Sequence, residues 1–140
     1  MAVRGIHPSL IRAAIATIMQ VALVSHVFAE PITGNDVHGA CNNQEASVAQ
    51  GFCIGYVLGA VEGMKWGALI SIASMSRKER ALDEMDLMSS AALGFCIPQE
   101  VQNGQILDVV KLHLDAVPAQ RHESARTLIM EALSEAFPCP

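Results

Sequence analysis

The sequence predicts a small all-α fold, an up-and-down helical bundle stapled by two disulfides. Three observations predict it. Apolar residues recur at helical spacing through most of the chain, and no stretch alternates as a strand would. Proline and glycine fall at intervals that cut the chain into helix-length pieces. Four cysteines, Cys41, Cys53, Cys96 and Cys139, make an even set in a short chain.

The first segment reads as an export signal. Met1 to Arg12 carries Arg4 and Arg12 and no acid, and Ala13 to Val24 is apolar apart from Thr17 and Gln20. Val27-Phe28-Ala29 offers the small or apolar residues that precede a cleavage point. Residues 1–29 are therefore expected to be a signal peptide, leaving 30–140 as one mature helical domain. The apolar run is shorter than the ~20 residues that cross a bilayer. Without Arg4 and Arg12 the net charge moves from −5 to −7, seven basic residues against fourteen acids. An acidic domain suits neither nucleic acid nor an anionic membrane after cleavage. It suits a basic protein partner, and it also serves plain solubility.

Export to an oxidising compartment makes disulfides the natural state of the four cysteines. Their gaps of 12, 43 and 43 residues lack the close pairs of a zinc site.

After the leader EPITGN, residues 36–41 are expected to form a short helix capped by Asn35 or Thr33, followed by a polar turn over 42–45. Residues 46–73 are apolar and free of proline, and they predict a long helix. Gly51, Gly55, Gly59, Gly63 and Gly67 recur in it every four residues. Each costs ~1 kcal/mol in a helix interior, so close packing of another helix should offset them. Membrane helices use such spacing to pair, but Glu62 and Lys65 lie mid-segment. A soluble core or dimer-interface helix is the expectation. Ser76-Arg77-Lys78-Glu79 has the form of a capping box and should open a helix carrying Leu82, Met85, Met88 and Leu93, ended by Gly94.

Pro98 follows Phe95-Cys96-Ile97 as a hinge. Residues 105–117 then place Ile106, Val109, Val110, Leu114 and Val117 on one face, and Pro118 stops the run. Residues 124–137 carry Ala125, Leu128, Ile129, Ala132, Leu133 and Ala136 as an apolar stripe, ended by Pro138. Up-and-down packing of these helices puts Cys41 beside Cys53 at one end and Cys96 beside Cys139 at the other. The two alternative pairings stay open, because sequence alone does not fix connectivity.

Catalytic and metal signatures do not assemble. His38, His113 and His122 lack a partner histidine at ligand spacing, and the one His–Cys pair, His38 with Cys41, uses a cysteine expected in a disulfide. Disulfide pairing removes every thiol nucleophile. No cofactor, metal site or catalytic residue is expected, and the protein is read as a non-enzyme. His113 reads as a helix-edge residue and His122 as an organiser of the turn before the last helix. Phe52, Tyr56, Trp66, Phe95 and Phe137 read as core. The acids Glu79, Asp83, Glu84 and Asp86 crowd one stretch and are the candidate partner-binding residues; a solvated helix face is the plainer explanation.

Several motifs resemble one family. Gly34-Asn35-Asp36 with Cys41, then Gly51-Phe52-Cys53-Ile54-Gly55-Tyr56-Val57-Leu58-Gly59, resemble the opening of the Rap/Tai immunity proteins. Phe95-Cys96-Ile97-Pro98, Gly104-Gln105-Ile106-Leu107-Asp108-Val109-Val110 and Ala136-Phe137-Pro138-Cys139 follow in the family's order. The resemblance implies a periplasmic, often homodimeric, all-α inhibitor of a peptidoglycan amidase delivered by type VI secretion. It implies that a loop enters the amidase cleft and covers the catalytic cysteine and histidine. The sequence departs from the family pattern between about Ile70 and Gly94, where it is longer and more charged, and at Gln102 and Val117. A general periplasmic protein-binding or chaperone module on the same scaffold is the alternative.

Overall fold

A computed structural model describes residues 30–43, 47–75 and 80–140. The expected signal peptide, residues 1–29, lies outside the described residues, as does the expected capping box at Ser76 to Glu79. Among these described residues five helices follow in order: α1 (Gly34–Cys41), α2 (Val48–Met75), α3 (Leu82–Leu93), α4 (Asn103–Ala116) and α5 (Ala125–Ala136). Among the described residues the one β pairing is an isolated bridge between Thr33 and Ser124.

Helix α1 begins two residues before the expected start because Thr33 supplies a full capping box. The Asp36 N–H donates to Thr33 Oγ1 at 3.3 Å, and the Thr33 N–H donates back to Asp36 Oδ2 at 2.9 Å. These Thr33 hydrogen bonds hold the Asp36 carboxyl below its ordinary value. Gly34 lies against the turn that precedes α5. Its N–H donates to the Glu123 carbonyl at 3.0 Å, and the Asn35 N–H donates to the Arg121 carbonyl at 2.7 Å. A Cβ on Gly34 would collide with Leu128 Cδ1 and sit 3.0 Å from the Arg121 carbonyl oxygen. Only glycine permits this approach.

The core is built by α1, the first half of α2, α4 and α5. Val37, Val57, Val110, Leu114, Leu128, Ile129 and Leu133 are buried to 1 % exposure or less. Phe95, in the segment after α3, is the largest fully buried side chain. Helix α4 buries Ile106, Val110 and Leu114, one residue per turn, while Val109 and Val117 pack at the margin. Helix α5 buries five of its six expected stripe residues; Ala136, in its last turn, stays exposed.

The disulfides pair as the bundle geometry predicts. Cys41 joins Cys53, with Cα atoms 5.1 Å apart, and Cys96 joins Cys139, with Cα atoms 4.9 Å apart. The Cys96 N–H also donates to the Phe137 carbonyl at 2.8 Å, so backbone and disulfide clamp the same two segments.

Helix α3 starts at Leu82. Its N-cap, Ala81, offers no side-chain hydrogen bond, and Asp83 and Glu84 in the first turn complement the helix dipole in its place. It ends as expected at Gly94, whose φ of 80° and N–H to the Ala91 carbonyl close the last turn.

Two expectations need correction. Of the five aromatics read as core, Phe95 is buried and Tyr56 and Phe137 pack against the core, but Trp66 is 60 % exposed, and Phe52, stacked on Tyr56 at 5.6 Å between ring centroids, is 38 % exposed. Among the described residues, no other helix packs onto the glycines of α2. A Cβ on Gly51, Gly55, Gly59, Gly63 or Gly67 would meet none of the described residues within 4 Å. Cys53, Val57 and Val61 face the core, and the glycines wind over the opposite side.

Candidate functional site

Among the described residues, two surface regions combine polar side chains with apolar relief. The first is the hairpin of α2 beyond Val61 with α3. From Glu62 to Met75 no residue of α2 is buried, and α3 buries only Ser89 and Ser90. Those serines let α3 lie close against α2, and Ser89 returns its hydroxyl proton to the Asp86 carbonyl at 2.8 Å. A cleft of about 210 Å³ opens between the helices, lined by Glu62, Lys65, Trp66, Leu69 and Asp86. Lys65 Nζ and Asp86 Oδ1 stand 3.5 Å apart across it. Trp66, Ile70, Met75, Leu82 and Leu87, on the same two helices, are each more than half exposed.

The structure places the acidic candidates as follows. Asp83 is exposed in the first turn of α3. Glu84 is paired with Arg80 one turn earlier, and Asp86 with Lys65. Glu79 lies outside the described residues. Asp83, Glu84 and Asp86 thus share one hairpin, and each has a structural task there. The exposed apolar ring around them was missed; its signal was the absence of a second apolar stripe able to cover the later turns of 46–73.

The second region lies between α4 and α5. A groove of about 330 Å³ is lined by Val109, Leu112, His113, Ala116, Ala132 and Glu135, among others. His113 is not the plain edge residue expected. Its side chain is 9 % exposed, its Nδ1 is 3.2 Å from Glu135 Oε2, and its Nε2 is 3.9 Å from Glu131 Oε2 with no hydrogen-bond partner. The imidazole lies between two carboxylates of α5 and ties the two helices together.

A third polar cluster fastens α1 to the end of α4. His38 Nε2 is 2.8 Å from Asp115 Oδ1 and 2.8 Å from the Asn42 amide nitrogen. Arg121 donates to the Leu114 carbonyl at 2.6 Å and stands 3.9 Å from Asp115. The His38 hydrogen bond, before any other influence, holds the Asp115 carboxyl below its ordinary value. His122 orders the α4–α5 turn as expected, through the Ala119 carbonyl at 3.0 Å.

All four cysteines are in disulfides. Among the described residues no three His, Cys, Asp or Glu side chains are gathered to hold a metal ion. What the structure displays is surface: an apolar, acid-rimmed hairpin on a cross-linked base.

The family model for Rap1a immunity proteins matches residues 33–139. The chain belongs to the Rap1a immunity protein family. The match begins at the Thr33 cap and ends at Cys139, so it takes in all five helices and both disulfides. No curated protein and no solved structure matches the chain. Membership confirms the resemblance drawn from the Gly-Phe-Cys, Phe-Cys-Ile-Pro and Phe-Pro-Cys motifs. It makes this an immunity protein, whose task is to bind a cognate toxin.

Proposed function

We propose that the chain is a periplasmic immunity protein that binds and inhibits a peptidoglycan amidase delivered by type VI secretion, and that it acts without chemistry of its own. The observation that carries the reading is the family match across the whole five-helix domain. Three features support it. Two disulfides suit an oxidising compartment such as the periplasm. Residues 1–29 have the layout of a signal peptide, and 30–140 would be the mature domain. The acidic balance suits a basic target, because opposite fields speed encounter.

The binding edge in this reading is the α2–α3 hairpin, with Asp83, Glu84 and Asp86, and Glu79 just before them, as its charged rim. The family resemblance further has the protein act as a homodimer.

The test is co-expression with each peptidoglycan hydrolase encoded nearby, all exported to the periplasm. The expected result is rescue of growth and co-purification with one amidase. Failure of every neighbouring hydrolase to bind would overturn the reading. Binding to many unfolded clients would favour a chaperone-like module instead.

A further inference from the structure

The cleft between α2 and α3 is small, has an indole in its wall and is acidic on balance. Glu62, Lys65, Trp66 and Leu69 line it from α2, and Asp86 lines it from α3. The four α2 residues are spaced three, one and three positions apart, so they share about 100° of the helix surface. The charges of the lining do not cancel. Lys65 is engaged by Asp86, 3.5 Å away. Glu62 is exposed and has no ion-pair partner among the described residues. It lies four residues before Trp66, one helical turn away on the same side.

This arrangement selects its guest by charge and shape. Two carboxylates against one ammonium disfavour an anion. A neutral guest makes no use of the spare carboxylate. A cation uses both features at once, with its charge on Glu62 and the indole of Trp66 beside it. Among side-chain cations, guanidinium fits best. It is planar, so it stacks on an aromatic ring while its edge gives paired N–H donors to a carboxylate; an ammonium is only a point charge.

Size points to a single side chain. The cleft holds about 210 Å³, less than the ~300 Å³ at which pockets for whole small ligands begin. Trp66 is 60 % exposed, so the indole is already open to an incoming group. The surroundings point to a protein as the bearer of that side chain. Asp83 stands exposed on the same hairpin, and residues 30–140 carry seven basic residues against fourteen acids. Such a field draws a basic protein surface. We infer that the α2–α3 cleft is the receptor for an arginine side chain of the toxin, stacked on Trp66 and held by Glu62. This rests on the toxin-binding reading above and names a subsite within its binding edge.

Trp66 is the chain's single tryptophan, so its emission reports on the cleft directly. The experiment titrates the exported, oxidised protein with N-acetyl-arginine amide. N-acetyl-citrulline amide, of the same shape without the charge, and diacetylchitobiose, a neutral glycan, are titrated beside it. The expected result is a saturable change with the arginine probe alone, with a midpoint on the order of 1–10 mM. Glu62→Gln should weaken it about tenfold while helical circular dichroism is kept. Lys65→Met should tighten it about threefold, because it releases Asp86 and removes the competing cation. A merely structural role for the cleft would not produce that gain. Glu100→Gln, exposed in the turn before α4, should change nothing. Emission that ignores the arginine probe, or answers the citrulline probe equally, would overturn the inference. So would a response to the glycan instead, or emission that moves on dilution of the protein alone, which would put a second copy over Trp66. Once a toxin is found by rescue, Glu62→Gln should weaken its binding by a similar factor; an unchanged affinity would remove the arginine from the complex. The probe titration needs no toxin, so a failed cleft and a failed toxin assignment are told apart.

Discussion

Up to Val61, helix α2 is a core element: Cys53 is cross-linked to α1, and Val57 and Val61 are closed over by α4 and α5. From Glu62 to Met75 the same helix, still largely apolar, fully buries none of its described residues, and after Met64, which packs at the edge of the core, it lies beside α3. Within one protomer the first half contributes stability, and the second offers surface. A chain that needed only to fold would have no use for Trp66, Ile70 and Leu87 in water. Apolar composition alone therefore does not mark a core; it marks area that must be covered by something.

The sharpest way to break this contrast is to truncate one aromatic from each region. Phe95→Ala empties the centre of the core and should cost about 3–5 kcal/mol. Trp66→Ala, measured at a dilution where protomers are separate, should cost less than about 1 kcal/mol. Urea unfolding followed by circular dichroism checks both. Equal losses would show that the hairpin is as integral to the fold as the base.

The disulfides come next. Both fasten the base, and the hairpin has neither. The loop of 43 residues closed by Cys96–Cys139 is worth about 4 kcal/mol in the chain-entropy account. The loop of 12 closed by Cys41–Cys53 is worth about 3. Replacing each pair by serine should lower the urea midpoint in that order. A reversed order would show that the Cys41–Cys53 bond does more than shorten a loop, since it anchors the start of α2 as well.

Glycine gives a finer comparison. Gly34 is pressed against Leu128 and the Arg121 backbone, whereas Gly55 faces open space. Gly34→Ala should therefore destabilise by about 1–3 kcal/mol, as overpacking does. Gly55→Ala should stabilise the separated protomer by up to about 1 kcal/mol through helix propensity. Thermal midpoints of the two variants should move in opposite directions.

The base was the legible part of the sequence. Its helices announce themselves by period, as in Ile106, Val110 and Leu114, and its ends by Pro118 and Pro138. Antiparallel packing favours the cysteine pairs that the structure shows, but the connectivity itself needed the coordinates. The α1 start was set two residues too late because Thr33 and Asn35 are both good caps, and only the return bond from Asp36 separates them. The hairpin was harder to read. Periodicity says that a segment is apolar but not which side of it finds a neighbour, so Trp66 reads as core, as does Phe52 on the outward side of the base. The pairing of His113 is hidden for a related reason: its two carboxylate neighbours, Glu131 and Glu135, lie on another helix. The acidic run was visible, but its pairing with Arg80 and Lys65 depends on the fold of the hairpin.

The smallest effect expected concerns protons, and it too separates base from hairpin. Asp115 joins α4 to α1 through His38, and that hydrogen bond depresses its carboxyl in the folded state. A depressed carboxyl stabilises the fold fully above its unfolded value, near ~3.9, and the benefit fades as pH falls through the folded value. Asp36, held down by Thr33, adds in the same direction. Both groups sit in water, so the acid limb of the stability profile should be shallow. Asp115→Asn should lower the thermal midpoint slightly at neutral pH, and its deficit should shrink as acid protonates the parent's Asp115. Asp86→Asn breaks only the half-exposed pair with Lys65, worth ~0.2–1 kcal/mol at most, and should disturb the hairpin without loosening α1 from α4. Amide exchange in α1 distinguishes the two: it should quicken in Asp115→Asn and stay as in the parent in Asp86→Asn. Faster exchange of α1 in both would mean that the hairpin and the base unfold together and that the division drawn along α2 does not hold.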